Sequence, residues 1–469
     1  MTKPQPSSHL AYVPDPAILA LGDGFYDRVE AAVFPETRLR FANRRWAERV
    51  GLGDLDDSGW TRHFGRFEPL PGNLEQPLAL RYHGHQFRSY NPEIGDGRGF
   101  LFAQLRDAHG RLLDLATKGS GQTPYSRFGD GRLTLKGGVR EVLATEMLEA
   151  LGVNTSKSFA LIETGEQLTR GDEPSPTRSA VLTRLSHGHI RIGSFQRMAS
   201  NEDPAGIAAL VDYSLEKLFG ETPGQDERAN ALRLFELSAT ATAALAASYL
   251  AAGFVHGVLN SDNINITGES FDYGPWRFAP TWEEDFVAAY FDQNGLYAFG
   301  RQPEAIHWDM AQLGGCLALV GDGPALADIL GSWAKRFEQA LIDALVSRLG
   351  IEPDDDADRP LVSAMLVALR AQAVTIDRLF FDWRGGRVPE SETYRQPAFV
   401  ELRERLAGRS PLPGALDHQY WRDPAPCSMH IDEVEALWAA IAASDDWSPF
   451  EAKIAAIRRM ADAMTPPCA

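Results

Sequence analysis

Near residue 205 the residue pattern of the chain changes, and that change limits what it can fold into. Before it, apolar residues come in short runs of strand length broken by glycine-rich turns. After it, alanine-rich stretches carry apolar residues at helical spacing. Between Arg98 and Lys118, the run GFLFAQLR, the turn DAHG and the run RLLDLATK read as a β-hairpin. SFALIET and SAVLTRL read as two more strands joined by the polar loop GDEPSPTR. Between the two pairs, LKGGVREVLATEMLEALGV places Val139, Val142, Leu143, Met147, Leu148 and Leu151 on one stripe, which predicts an amphipathic helix. Past the change, PAGIAALVDYSLEKLFG and ERANALRLFELSATATAALAASYLAAG read as helices, with more expected near 304–321, 324–349, 360–378 and 433–465. Residues 17–52 read as helical in pieces, with Phe41, Trp46 and Val50 on one face of RLRFANRRWAERVGL. Strands gathered in one part and helices in another make an α+β pattern with two lobes meeting around residue 200.

Charge narrows the partners. Lys+Arg number 46 against 64 Asp+Glu, a formal net charge of −18, so the mean field repels nucleic acid and anionic lipid. A compact basic cluster holding one phosphate-bearing ligand stays compatible with that average. The apolar stretches are short and interrupted by charge, so no membrane span is expected. The segment MTKPQPSSHLAYVPDP has neither the apolar core of a secretory signal nor the Arg-rich amphipathic character of a mitochondrial one, and reads as a tail. Cys316, Cys427 and Cys468 are far apart and form no CxxC, which excludes a disulfide framework and a thiolate zinc site. A reducing, cytoplasmic setting is the corresponding expectation.

The chemistry-bearing residues follow a recognisable order. Gly95, Gly97 and Gly99 precede the hairpin, where the lack of a Cβ lets backbone N–H groups approach a phosphate, and Arg98 adds a cation among them. Lys118 ends the second hairpin strand and would point at whatever the glycine turn covers. Glu141 on the following helix stands one step from its apolar stripe; in kinase-like folds such a glutamate holds the strand lysine on the α- and β-phosphates. Arg140 and Glu146 on the same helix read as solvated charges. Farther on, His256-Gly257 opens a loop in which Asn263 stands seven residues after the histidine. Kinase-like loops carry an aspartate base directly after His-Gly; here that position is Val258. Asp262 stands beside Asn263, and Asp272-Tyr273-Gly274 resembles the Asp-Phe-Gly signature whose aspartate binds Mg²⁺. The bland alternative is that Asn260, Asp262, Asn263 and Asn265 merely cap turns.

The chain resembles the selenoprotein O, or YdiU, family, kinase-fold proteins that act as protein AMP-transferases. The resemblance lies in YHGHQF (82–87), IGDGRG (94–99), TKGSGQTPYSRFGDGR (117–132), REVLATE (140–146), AVLTRLSHGHIRIGSFQ (180–196), HGVLNSDNINITGESFDYGPW (256–276) and GRQPEAIHWDMAQL (300–313). It covers about half the chain well, from roughly residue 80 to 310, and the C-terminal helical region only weakly. It implies a bilobal protein-kinase-like fold with a strand-rich N-lobe (76–200), a helical C-lobe (201–350), an N-terminal extension (1–75) and a C-terminal helical region (351–469). It also implies ATP bound flipped relative to ordinary kinases, with the α-phosphate facing the hydroxyl of a protein acceptor, self-modification included. Lys118, Arg184 and Arg191 would bind phosphates, and Gly95, Gly97, Arg98, Asp130 and Gly131 would be nucleotide contacts. Asn263 and Asp272 would hold Mg²⁺, with Mn²⁺ as a substitute, and Asp262 would be the general base. The chain departs from the family pattern at Arg88, where glycine is usual, and at Asp309, where asparagine is usual. His83 and His85 fall in the YHGHQF string and read as structural. The penultimate Cys468 has the position of a redox-active residue in family members, although an unpaired tail thiol is the plainer reading. Two other function classes share the fold: a conventional phosphotransferase, against which Val258 counts, and a non-catalytic nucleotide-binding pseudokinase, against which the retention of Lys118, Glu141, Asn263 and Asp272 counts.

Overall fold

An eight-stranded antiparallel sheet organises the N-terminal part of the computed structural model, which describes residues 10–171 and 173–465. Its strands are β1 (Tyr26–Arg28), β2 (Arg38–Ala42), β3 (Leu78–Leu80), β6 (Leu101–Arg106), β7 (Leu112–Lys118), β8 (Leu133–Thr134), β9 (Lys157–Leu168) and β10 (Thr177–Ser186). The order is β1-β3-β6-β7-β10-β9-β2, with β8 on β10. A separate hairpin, β4 (Gly84–Gln86) and β5 (Ser89–Asn91), stands off the sheet. The expected hairpin is β6–β7, and the two expected later strands are β9 and β10.

The segment RLRFA departs from the helical expectation. It forms β2 because the outer edge of β9 offers it a ladder, Leu39 opposite Ile162 and Phe41 opposite Leu161. An open edge satisfies a whole row of backbone groups, which outweighs the weak helical preference of five residues. Helix α1 (Arg44–Arg49) starts directly after it, capped by the Asn43 side chain on Trp46 N, and α2 (Asp57–Phe64) is capped by Asp56 on Gly59 N. Trp46, Trp60 and Phe64 of these helices pack with Phe100, Phe102 and Phe159 of the sheet in one core. The other core holds the stripe of α3 (Leu135–Ala150), including Val139, Val142, Leu143, Met147 and Leu148.

The helical part begins with α4 (Ile192–Ser200) and α5 (Pro204–Tyr213) and is built around α6 (Glu227–Ala252). Asp226 caps the start of α6 through Arg228 N and Ala229 N, and Gly253 ends it at φ 70°, a left-handed turn that favours glycine. Among the described residues α6 alone is long and apolar enough to cross a membrane, and two-thirds of that apolar window, 67%, is buried inside the protein. Helices α7 (Gln302–Leu317), α8 (Gly323–Gly331) and α9 (Trp333–Leu349) pack around it. Helices α10 (Asp358–Arg370), α11 (Ile376–Asp382) and α12 (Val400–Leu406) continue this layer with a core of their own. The result is a mixed, bilobal, kinase-like arrangement of one antiparallel sheet region and one helical region.

The last two helices, α13 (Ile431–Ser444) and α14 (Ser448–Met464), return to the sheet region and pack on α3. This overturns the reading of Arg140 and Glu146 as solvated charges: Arg140 is largely enclosed, donates to Trp276 O at 3.0 Å and lies 4.7 Å from that ring's centroid. Glu146 is buried and receives two hydrogen bonds from Arg458 of α14, at 2.8 and 2.7 Å. Replacing Arg458 by Ala would leave that carboxylate short of its main partner. Arg458 is about one-third exposed (35%), so water repays part of the loss. The expected cost is about 2–3 kcal/mol, below the value for a fully enclosed pair. Urea unfolding checks this, and a change below about 0.5 kcal/mol would deny the bridge a role in holding α14. Cys316 and Cys427 are free thiols, and Cys468 lies outside the described residues.

Candidate active site

The register of the sheet assembles the cationic side of the site. Leu182 of β10 pairs with Lys118 of β7, and Arg184 pairs with Ala116. Opposed residues of an antiparallel pair share a face, and so do residues two apart on one strand, so Lys118 and Arg184 project to the same side. Lys118 is buried and forms an ion pair with Glu141 of α3, while its Nζ also lies 2.6 Å from Asp272 Oδ1. Arg184 Nη1 donates to the same oxygen at 3.4 Å.

The opposing side is one long loop. Strand β11 (Phe254–Val255) and strand β12 (Arg277–Phe278) pair antiparallel and tie its ends together. Buried His256 receives no solvent; its backbone N donates to Gln302 Oε1 at 3.0 Å and its Nε2 lies 2.9 Å from Phe271 O. Burial pushes the His256 pKa down, so the ring is neutral and Nε2–H donates to that carbonyl. One histidine thereby links the stretch carrying Asp262 and Asn263 to the stretch carrying Asp272. Asp272 adopts φ 63°, a left-handed conformation that aspartate tolerates better than bulkier residues.

Arg191 bridges the two sides. It sits at the N-terminus of α4 rather than on a free loop, is buried, and donates from Nη1 to the Asp262 carbonyl at 3.0 Å and from Nη2 to Asp96 Oδ1 at 3.3 Å. Its guanidinium lies 4.3 Å from the Tyr82 ring centroid and 4.8 Å from that of Phe271. Neither Arg184 nor Arg191 is the surface charge that position alone allows.

Together these parts enclose a cleft of about 550 Å³. Gly95, Gly97, Arg98, Lys118, Asp130, Gly131, Arg184, Arg191, Asp262 and Asp272 all line it. Glu141 stands behind Lys118. Asn263 lies on the loop next to Asp262 and outside the lining. The glycines are required by close approach: a Cβ on Gly95 would fall 2.5 Å from the Tyr125 ring, and one on Gly131, at φ 70°, 2.3 Å from the Gly121 backbone. Asp130 is held by Arg170 at 2.8 and 3.1 Å and lies on the exposed rim.

Charge in the cleft is unevenly spent. Asp262 is 7% exposed, and its Oδ1 has no hydrogen-bond partner among the described residues. Burial raises its pKa to about 6, opposed by Arg191 and assisted by the nearby Asp272 charge. For Asp272 burial alone would also raise the pKa, but Lys118, Arg184, Arg98 and Arg191 override it and hold the carboxyl well below the ordinary range. Asp309 of α7 is buried with Oδ2 unpartnered among the described residues, and burial together with the Asp262 charge pushes its carboxyl pKa well above the ordinary range. The buried Nε atoms of Arg184 and Arg191 also lack partners among the described residues, donors suited to an anionic ligand.

The donor set fits a magnesium ion held jointly with phosphates. Asn263 Nδ2 donates to Val258 O at 3.0 Å, which leaves the amide oxygen as the free end, and Asp272 supplies an ionised carboxylate. Mg²⁺ characteristically takes one or two protein oxygens and completes its shell with phosphate and water. Among the described residues no group of three or more His, Cys, Asp and Glu side chains forms a self-sufficient metal cage. His83 and His85 serve structure: His83 Nδ1 lies 2.7 Å from Tyr90 Oη, and His85 Nδ1 lies 2.6 Å from Gln196 Nε2.

Several residues of the cleft escaped the sequence reading. Asp96, which orients Arg191 and accepts from Leu80 N, stood in the open within IGDGRG and its place between glycines was the available signal. Tyr82 and Tyr125 stood in YHGHQF and TKGSGQTPYSRFGDGR with no charge or glycine pattern to single them out, and Arg170 had no signal, because its partner Asp130 lies 40 residues away.

The family model described as protein adenylyltransferase SelO matches residues 7–404. Curated relatives include proteins named protein nucleotidyltransferase YdiU. That of a Synechocystis species is 40% identical over 95% of this chain and 97% of its own. That of Gloeobacter violaceus is 42% identical over 95% of each, and that of Cereibacter sphaeroides 34% identical over 93% of this chain and 91% of its own. The similarity therefore runs through the C-terminal helices as well, beyond the half of the chain where the motifs are dense.

Proposed function

The chain belongs to the SelO family of protein nucleotidyltransferases, and from that premise we propose that it transfers AMP from ATP to serine, threonine or tyrosine hydroxyls of proteins, its own included. In this reading ATP binds flipped relative to ordinary kinases, with its α-phosphate toward Asp262. The acceptor oxygen attacks the α-phosphorus, the bond from that phosphorus to the α–β bridging oxygen breaks, and pyrophosphate leaves. The hydroxyl proton passes to the Asp262 carboxylate. Lys118, Arg184 and Arg191 take up triphosphate charge, and Glu141 keeps Lys118 in place. Asn263 and Asp272 would hold Mg²⁺, which when bound neutralises phosphate charge and orients it.

The observation that carries the reading is Asp262 itself. A buried carboxylate that lines a cationic cleft, with an oxygen lacking a partner among the described residues, is costly to the fold and suited to accept a proton. Val258 stands where a conventional kinase loop has its base, which favours this reading over phosphoryl transfer. Incubation with ATP labelled on the α-phosphate should mark the protein or an acceptor with release of pyrophosphate. Label moving only from the γ-phosphate, with release of ADP, would establish a phosphotransferase instead. Tight Mg·ATP binding without either transfer would make the chain a nucleotide-binding module.

A base must be deprotonated to work. With the Asp262 pKa raised to about 6, transfer is expected to be level above pH 7 and to fall roughly tenfold per unit below pH 6. A rate profile flat down to pH 5 would remove Asp262 from the role.

A further inference from the structure

In that reading a protein acceptor must come to Asp262, and a distinctive surface adjoins the loop that carries it. Hairpin β4–β5 lies across the Asp262 loop. His85 N donates to Ser261 Oγ at 2.7 Å, Phe87 N donates to Asn260 Oδ1 at 3.0 Å, and a Cβ on Gly84 would fall 2.8 Å from Asp262 Oδ1. At its tip, Phe87 (φ 49°) and Arg88 (φ 62°) are both left-handed, a turn that Asn-Gly forms without strain and that two large side chains adopt at a cost. The tip is nevertheless held in place: Arg88 bonds Glu304 at 3.0 Å and lies over the Trp308 ring at 5.5 Å.

This strained tip presents Phe87, itself partly exposed, against Phe291, with ring centroids 5.9 Å apart. Tyr290 packs on Phe291 at 5.1 Å and is 82% exposed. The same segment adjoins the loop of the site, because a Cβ on Gly257 would meet the Ala288 Cβ at 3.0 Å. Just upstream, Glu283 and Asp285 are exposed and have no ion-pair partner among the described residues, whereas Glu284 is paired with Arg370 at 2.9 Å. Exposed aromatic side chains grouped beside a site mark an interaction surface more often than a solvated one.

From the aromatic group at Phe87, Tyr290 and Phe291 and the free carboxylates of Glu283 and Asp285, we infer that this face docks the acceptor polypeptide and selects segments with an apolar or aromatic residue and nearby lysine or arginine around the modified hydroxyl. The inference rests on the reading that the acceptor is a protein. Charge complementarity fixes the sign: basic segments are drawn to the unpaired acids and acidic ones repelled. The aromatic rings supply contact area at low entropic cost.

Two fluorescent serine peptides separate the possibilities, one basic and aromatic, one acidic and glycine-rich. Binding to the full chain without nucleotide is measured first, then AMP transfer from α-labelled ATP. The basic aromatic peptide is expected to bind at least tenfold more tightly. Tyr290→Ala and the double change Glu283→Lys with Asp285→Lys are expected to erase most of that difference and raise KM for the peptide with kcat within about twofold. Neither change touches buried structure, so both should fold. Equal binding of the two peptides, or unchanged preference in both variants, would overturn the inference even if AMP transfer is observed. Selective binding without α-label transfer would keep the docking face and overturn the reaction instead. If Tyr290→Ala shifts the chain between monomer and dimer in sedimentation, the face is a self-interface and the inference fails.

Discussion

Asp262→Asn is expected to reduce AMP transfer by about a thousandfold while nucleotide binding changes little. The amide has the size of the carboxylate and keeps the backbone carbonyl that accepts from Arg191, so the cleft is preserved. It cannot accept a proton from the acceptor hydroxyl. The same change should leave the protein as stable as before, or more so. Oδ1 of Asp262 is buried without a partner among the described residues and burial already works against its ionised form, so the fold gains when the charge is removed. A thermal melt at or above that of the parent, together with a lost transfer rate and an intact affinity for an ATP analogue, is the expected combination. A transfer rate within tenfold of the parent would show that the proton goes elsewhere.

Lys118→Met is expected to act on both stability and function. The lysine ties Glu141 to Asp272, and the Lys118 and Glu141 side chains are 5% and 1% exposed. Lys118 pairs with Glu141 Oε1, and Oε2 has no partner among the described residues, so removing the lysine strands a buried carboxylate at a cost of about 3–5 kcal/mol. Nucleotide affinity should fall as well, because Lys118 is the foremost cation holding Asp272 ionised and lies in the phosphate side of the cleft. The double change Lys118→Met with Glu141→Leu tells the two effects apart. An apolar pair in the same volume should recover most of the stability, measured by urea unfolding, and none of the nucleotide binding. Recovery of binding in the double variant would show that Lys118 serves the fold alone.

The hairpin β6–β7, helix α3 and the pair β9–β10 were legible because each carries its own period and its own turn signals over enough residues. Lys118, Glu141, Asp262, Asn263 and Asp272 were legible for a related reason: their order along the chain follows a motif sequence that a positional reading can follow. RLRFA was misread because five residues carry little periodicity and the open edge of β9, more than a hundred residues away, decides their conformation. Glu146 was misread because α14, over three hundred residues later, covers the face it occupies. The tip of β4–β5 gave no turn signal in its own residues, since Phe-Arg is not a pair that a two-residue turn ordinarily uses; the one hint was that the resembled family usually has glycine at the position of Arg88.

By itself the sequence determined which residues are available: a glycine-rich approach, a strand lysine, a helix glutamate, and a loop with Val258 in place of a base and Asp262 beside Asn263. It also determined that any anion site must be local, since the chain as a whole carries −18. Only the folded chain shows Arg184 and Arg191 buried rather than solvated, Asp96 and Tyr82 aiming Arg191, and Asp262 with an oxygen that lacks a partner among the described residues. The reason is physical. Periodicity and motif order are written in neighbouring residues, whereas desolvation and charge pairing depend on which distant segments close over a side chain.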